Sequence, residues 1–169
     1  SLVFEPIHRV LFQADPFHVL NTMKKYYTLT GQSFDYESFT SKKQMKERYR
    51  ALKSEKQGQI HLIPYMFSNG WGILKIANHR SNLEAGTLQA FLDYYLDNNK
   101  DVCVDYIHGE EITAELGTHE GNMGFLLPMM NKNDFFKTII LDGVLPRKTF
   151  SMGEAHEKRY YLECRKIIK

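Results

Sequence analysis

Apolar residues recur along this chain at helical spacing in some segments and at strand spacing in others. The clearest helix has apolar positions at i, i+3, i+4, i+7 and i+8, namely Leu88, Phe91, Leu92, Tyr95 and Leu96. Another helix is predicted from Asp15 and Pro16, which suit a helix start, to about Tyr27. A third helix, over residues 42–56, begins after Ser41 and is strongly basic, with a thin apolar stripe.

Short apolar runs bounded by Gly, Pro or Asn predict the strands. These runs cover residues 7–12, 59–66, 71–77, 102–107, 123–127 and 159–167. Asn69 and Gly70 join the second run to the third, which is a strong hairpin signal. Two more helices are expected near residues 111–117 and 133–141, whereas the polar residues 28–40 are predicted to be irregular.

The second half of the chain alternates strands with helices, and this order sets the expected architecture. Such alternation predicts an α/β fold, with α+β as the alternative, in which helices pack on one sheet. The hairpin in the first half adds antiparallel strands, so a mixed β-sheet is expected. No repeat, low-complexity run or long linker divides the 169 residues, so we predict a single layered domain over residues 1–169.

The composition is that of a globular protein and does not indicate a particular function. The apolar share of 43% and the charged share of 25% are ordinary for a globular protein, and the net charge of +2 does not favour nucleic acid as a partner. No apolar run approaches the roughly 18 residues that a membrane span needs. Cys103 and Cys164 have neither metal-site nor disulfide-framework spacing, so we predict buried free thiols in strands, as in a cytoplasmic protein.

The segment from Asp142 to Gly153 combines cations and hydroxyls with Gly and Pro, a composition that suits an anion or phosphate site. Four of its side chains are candidate anion ligands: Arg147, Lys148, Thr149 and Ser151. Their spacing does not match a Walker A loop. The alternative is a solvated basic loop whose Arg and Lys pair with Glu154, Glu157 or the last helix.

His108 follows a predicted strand, at the end where ligands collect in open α/β sheets. It is therefore a candidate acid–base or ligand-orienting group, with Glu110 and Glu111 close enough to orient or charge it. The alternative is a histidine that bonds the backbone at a tight turn. The remaining Glu and His clusters lack a convincing third and fourth ligand, so we predict no metal site.

Two other basic features have two interpretations each. His8 and Arg9 lie in the first strand and are candidates for a junction with another domain, or else a partly exposed pair with Arg at the sheet edge. The basic helix over residues 42–56 is more typical of a solvated surface helix than of a nucleic-acid interface.

Three stretches of the chain resemble a large bacterial family catalogued as domain of unknown function 1015. They are Pro6-Ile7-His8-Arg9-Val10-Leu11, then Asp105-Tyr106-Ile107-His108-Gly109 with Gly124-Phe125-Leu126-Leu127-Pro128, and the basic segment around Pro146-Arg147-Lys148-Thr149-Phe150. Many family members have a second proline where this chain has Arg147. The resemblance runs along most of the chain.

The resemblance implies a longer protein. Family members usually carry an N-terminal half similar to the ParB/sulfiredoxin fold, whose Gly-x-His signature is absent here, so we expect this chain to be the C-terminal domain. Relatives of that fold include nucleotide-dependent enzymes, some of which phosphorylate free serine. The implied function is completion of a small-molecule phosphoryl-transfer site, using ATP or ADP with Mg²⁺, in a cytoplasmic protein. The alternative is a non-catalytic binding or regulatory module for a protein or nucleic-acid partner.

Overall fold

The computed structural model describes residues 3–55, 59–130, 132–142, 148, 150–153, 160–161 and 164. Its strands are β1 (Val3–Phe12), β2 (Ser33–Phe39), β3 (Ile60–Phe67), β4 (Gly70–Ala77), β5 (Cys103–His108), β6 (Met123–Phe125), β7 (Phe150–Gly153) and β8 (Tyr160–Tyr161). Its helices are α1 (Pro16–Leu29), α2 (Lys42–Ser54), α3 (Glu84–Asn98), α4 (Glu110–Gly117) and α5 (Lys132–Asp142). Within these described residues, no helix has both the length and the apolar character needed to cross a bilayer.

One sheet organises the strands in the order β2-β4-β3-β6-β1-β5-β8, and β7 pairs with the start of β1. The predicted combination of helices with a single sheet is confirmed. The predicted α/β class is therefore confirmed. Every pairing between the described strands is antiparallel, however, so the expected mixture of parallel and antiparallel pairs is wrong for these strands.

The reason for the antiparallel sheet is the position of β1. Both β5 and β6 run antiparallel to β1 and lie on either side of it, so they are parallel to each other without being neighbours. The unit β5-α4-β6 is therefore a crossover, in which α4 joins two strands that run in the same direction. The first strand fills the gap inside this crossover, which gives a split β-α-β arrangement.

The sheet is covered by helices on both faces. The larger core joins one face of the sheet to α1 and α3 and includes Met23 and Phe91. A smaller cluster packs Met45 and Leu52 of α2 against the other face. Leu62 and Ile63 are adjacent on β3 and belong to different clusters, as the alternation of side chains along a strand requires.

Local sequence signals account for the helix starts. The carboxylate of Asp15 accepts a 3.0 Å hydrogen bond from the N–H of Phe17, and the hydroxyl of Ser41 accepts one of 3.2 Å from the N–H of Gln44. Each bond satisfies a donor that the first helical turn leaves without an internal partner. Both predicted helix starts are confirmed.

The two cysteines form a disulfide bond in this structure, so the prediction of free thiols is wrong. The Cα atoms of Cys103 and Cys164 are 5.3 Å apart, and the N–H of Cys164 also donates to the carboxylate of Asp105 at 3.3 Å. Cys164 lies in a turn, not in the predicted final strand, of which the structure describes only β8. Pairing of β8 with β5 brings the two cysteines together across a separation of 61 residues, which their spacing does not reveal.

Candidate functional site

A pocket of about 690 Å³ opens on the α2 side of the sheet. Its walls come from the start of β1, one side of α2, the junction between β5 and α4, and residues 126–129. Pro6, Pro64, Leu126, Leu127 and Pro128 supply apolar lining. A pocket of this volume that combines an apolar wall with polar side chains is typical of small-molecule sites.

His8 forms part of the pocket wall and is held by the backbone. Its side chain is buried, and its Nδ1 accepts a 2.9 Å hydrogen bond from the N–H of Leu127. Burial lowers the pKa of His8 to about 4; nearby Glu110 opposes this shift, whereas Arg9 and His108 add to it. The imidazole of His8 is therefore neutral near pH 7.

His108 ends β5 and lines the same pocket. Its imidazole is buried, and the next residue, Gly109, has a φ of 98° that allows the chain to turn from the strand into α4. The carbonyl of Gly109 accepts a 2.7 Å hydrogen bond from the hydroxyl of Thr113, which fixes this turn. The structure thus places His108 at a strand end that faces a cavity, and brings it together with His8.

Glu110 connects the two helices that border the pocket. It begins α4, and one of its oxygens forms an ion pair with Lys46 of α2. Both side chains are partly exposed, so the pair contributes little to stability, typically less than about 1 kcal/mol. Its main consequence is geometric, because it joins α2 to the junction that carries His108.

A row of cations on α2 forms one side of the pocket. Lys46, Arg50 and Lys53 are spaced i, i+4 and i+7, which places them on one helix face. Tyr49 lies beside them in the lining; burial raises its pKa to about 12, with Glu84 and Glu110 adding to the shift. A neutral phenol among cations can donate a hydrogen bond to an anion without repelling it.

These α2 residues were not predicted as site residues, because the basic helix was interpreted as a solvated surface. That interpretation is right for much of the helix, since Lys43 and Glu47 are exposed. The regular spacing of the three cations was a visible signal. Their closeness to His108 depends on the order of strands in the sheet, which the spacing does not contain.

The basic segment is only partly described. Arg147 and Thr149 lie outside the described residues, and the Nζ of Lys148 is 3.9 Å from the centroid of the Tyr106 ring. Lys148 is not among the residues that line the pocket. Ser151 belongs to β7, where its backbone pairs with that of Glu5, a pocket residue. The four-residue anion site therefore stays a prediction, because two of its members lie outside the described residues.

Arg9 lies on the opposite side of β1 from His8, as neighbours on a strand do. Its side chain is completely buried, with Nε donating to Oε1 of Gln89 at 3.2 Å and the guanidinium carbon 5.0 Å from the centroid of the Tyr106 ring. The alternative of a partly exposed arginine at a sheet edge is wrong, because β1 is an interior strand. Arg9 acts within the core that joins β1 to α3.

The pocket contains carboxylates and imidazoles, yet they do not form a metal cluster. No group of three or more His, Cys, Asp or Glu side chains in the described ranges is arranged to hold a metal ion. The lining combines cations, neutral donors and apolar surface with two carboxylates, those of Glu5 and Glu110. The cations outnumber the carboxylates, which suits an organic anion.

Comparisons with protein-family models, with curated proteins and with solved structures found no match to this chain. The resemblance to the family of domain of unknown function 1015 therefore stays a prediction.

Proposed function

We propose that the pocket binds a small organic molecule that carries a phosphate or carboxylate group. The observation that supports this most strongly is the row formed by Lys46, Arg50 and Lys53, which borders the same cavity as two buried histidines. Cations and neutral N–H donors complement the oxygens of an anion. The apolar wall complements the rest of such a molecule.

The more specific form of the proposal is a phosphoryl-transfer site completed by an N-terminal domain. In that reaction cations stabilise the transferring phosphoryl group, and a positioned base accepts the proton of the attacking hydroxyl. His108 is the candidate base, and free serine with ATP or ADP is the substrate pair that the family resemblance suggests. In this form of the proposal, nucleotide oxygens and the N-terminal domain would hold Mg²⁺.

We expect the protein to work in the cytoplasm, where nucleotides and serine are available. Because the cytoplasm keeps most thiols reduced, the Cys103–Cys164 bond would form there only when conditions become oxidising.

Binding to the 169-residue chain tests the proposal directly. Pyrophosphate, ATP, phosphoserine and serine would each be titrated by calorimetry against the wild type and the Arg50→Ala/Lys53→Ala double variant. We expect the double variant to bind the preferred anion at least about tenfold more weakly, because two cations of the rim are removed. Lys43→Ala is the matched control, because Lys43 is an exposed cation of the same helix outside the pocket lining.

Equal losses in the control and the double variant would contradict a localised anion site. Absence of binding by every small anion, together with oligonucleotide binding that falls steeply with salt, would instead support the alternative of a nucleic-acid module. A protein that binds none of these ligands, alone or joined to an N-terminal domain, would contradict the phosphoryl-transfer form as well.

A further inference from the structure

We propose that His8 is a fixed hydrogen-bond donor of this pocket, so that the pocket selects ligands that present an acceptor oxygen at this position. The inference rests on the proposed function for the nature of the ligand. The state of His8 itself follows from the structure of the chain.

The backbone of Leu127 determines which nitrogen of His8 carries the proton. A peptide N–H can only donate, so the 2.9 Å bond from Leu127 requires a lone pair on the Nδ1 of His8. The single proton of a neutral imidazole must then be on Nε2. This tautomer makes the Nε2 side of the ring a donor and leaves it without a lone pair to accept a proton.

The surroundings of His8 oppose a second proton on the ring. The side chain is 5% exposed, so burial penalises the imidazolium form. Arg9 on the same strand and His108 at the end of β5 also disfavour that form, and Glu110 at the start of α4 is the group that favours it. Protonation of Nδ1 would in addition place its N–H opposite the N–H of Leu127, so that two donors would face each other.

The donor is available to a ligand. His8 lines the cavity, and no residue in the described part of the chain makes a hydrogen bond to its Nε2. A phosphate, carboxylate or carbonyl oxygen can accept from this N–H, whereas an ammonium group or another N–H donor would be repelled. His8 is thus a specificity-determining residue, distinct from the cations of α2, which attract negative charge from the rim.

Two variants separate this role from the role of His8 in packing. His8→Asn retains an acceptor close to Nδ1 for the N–H of Leu127 but has no group that reaches the position of Nε2. His8→Gln places an amide donor near the position of Nε2 but gives up the acceptor beside the backbone. His8→Asn therefore removes the donor at the position of Nε2, and His8→Gln restores a donor there.

The first experiment titrates both variants of the 169-residue chain with pyrophosphate, or with whichever anion of the panel the wild type binds best. We expect His8→Asn to weaken binding by about 10- to 100-fold, the usual cost of losing a donor to a charged group, and His8→Gln to stay within about threefold of the wild type. Stability should change in the opposite order, with His8→Gln the less stable variant. Equal losses of affinity in both variants would overturn the proposal and leave His8 with a packing role.

The second experiment measures the tautomer without any ligand. The imidazole ¹⁵N shifts of His8 should show a protonated Nε2 and an unprotonated Nδ1 from pH 8 down to about pH 5.5. A proton on Nδ1, or an imidazolium at pH 7, would overturn the inference even if anions bind. If the tautomer is as expected and no anion binds, the proposed function fails while the assignment of His8 as a donor stands.

Discussion

His61 lies with its ring against that of His79, and their environment makes stability depend on pH. The ring centroids are 3.5 Å apart with an interplanar angle of 7°, and Nδ1 of His61 contacts the hydroxyl of Thr87 at 2.8 Å. Burial lowers the pKa of His61 to about 3, and the neighbouring His79 contributes to the same shift. Replacement of the ordinary hydration of His61 by these contacts favours its neutral form.

The sign of the resulting pH effect follows from linkage. Below its ordinary pKa of 6.5, His61 binds a proton in the unfolded chain but not in the folded one. The free energy of unfolding is therefore undiminished above pH 6.5 and decreases as the pH falls from there toward about 3. Urea unfolding at several pH values between 7.5 and 4.5 gives the free energy of unfolding as a function of pH. We expect this free energy to change with pH less steeply in His61→Gln than in the wild type, by up to about 1.4 kcal/mol per pH unit. The exposed His119→Gln variant is the control. An unchanged slope in His61→Gln would contradict this assignment.

The sequence singled out two residues that line the pocket, His8 and His108, but not their surroundings. His108 could be placed at a strand end because the apolar run before it stops at Gly109. The burial of His8 could not be predicted, because it depends on β1 lying between β6 and β5. Lys46 and Lys53 were visible as cations, but their contribution to a pocket depends on contacts between distant segments.

Elements with strong local signals were predicted well, and elements held by their neighbours were not. Helices α1 and α2 have capping side chains and periodic apolar positions, so their starts were predictable. Strand β2 was missed because it is a polar edge strand. Its Glu37 forms ion pairs with Arg48 of α2 and Lys75 of β4, so polar side chains bind it to its neighbours.

The close packing of α4 on β6 is a second property of an element that can be tested. A Cβ on Gly117 would lie 2.9 Å from the backbone N of Gly124 and 3.0 Å from Cγ of Met66, closer than side chains normally approach. We expect Gly117→Ala to destabilise the protein by about 1–3 kcal/mol despite the better helix propensity of Ala, because α4 must move away from the sheet.

Thermal or urea unfolding measures this cost. Glu115→Ala, on the exposed side of α4, should stay within about 0.5 kcal/mol of the wild type and is the matched control. Because α4 carries Glu110 at its other end, Gly117→Ala should also weaken anion binding. Wild-type stability in Gly117→Ala would contradict the tight contact between α4 and β6.

For the molecule as a whole, the sequence predicted the class of fold but not the order of strands. Alternating strands and helices correctly indicated helices packed on one sheet, and nothing in that pattern shows that the first strand lies between β5 and β6. Pairing of β1 with β5 joins residues about a hundred positions apart, such as Ile7 and His108. Such pairing depends on the complementarity of whole strands, which local spacing does not record.

The disulfide between Cys103 and Cys164 also joins segments that are distant in the sequence. It closes a loop with a sequence separation of 61 residues and holds the chain near β8 against β5, the strand that ends at His108. A loop of this length restricts the unfolded chain, so breaking the bond should lower the free energy of unfolding by about 2–4 kcal/mol. We therefore expect reduction to lower the melting temperature of the wild-type protein.

Mass spectrometry of the non-reduced protein decides whether the bond forms, because each free thiol adds one alkyl group under denaturing conditions and a disulfide adds none. Reductant should destabilise the wild type and leave the Cys103→Ser/Cys164→Ser variant unchanged, since that variant has no bond to lose. Alkylation of both cysteines without reductant, in protein purified under oxidising conditions, would contradict the bond. If the bond forms and its reduction also weakens anion binding, the redox state of the chain end is coupled through β5 to the pocket, because β5 contributes both Cys103 and His108.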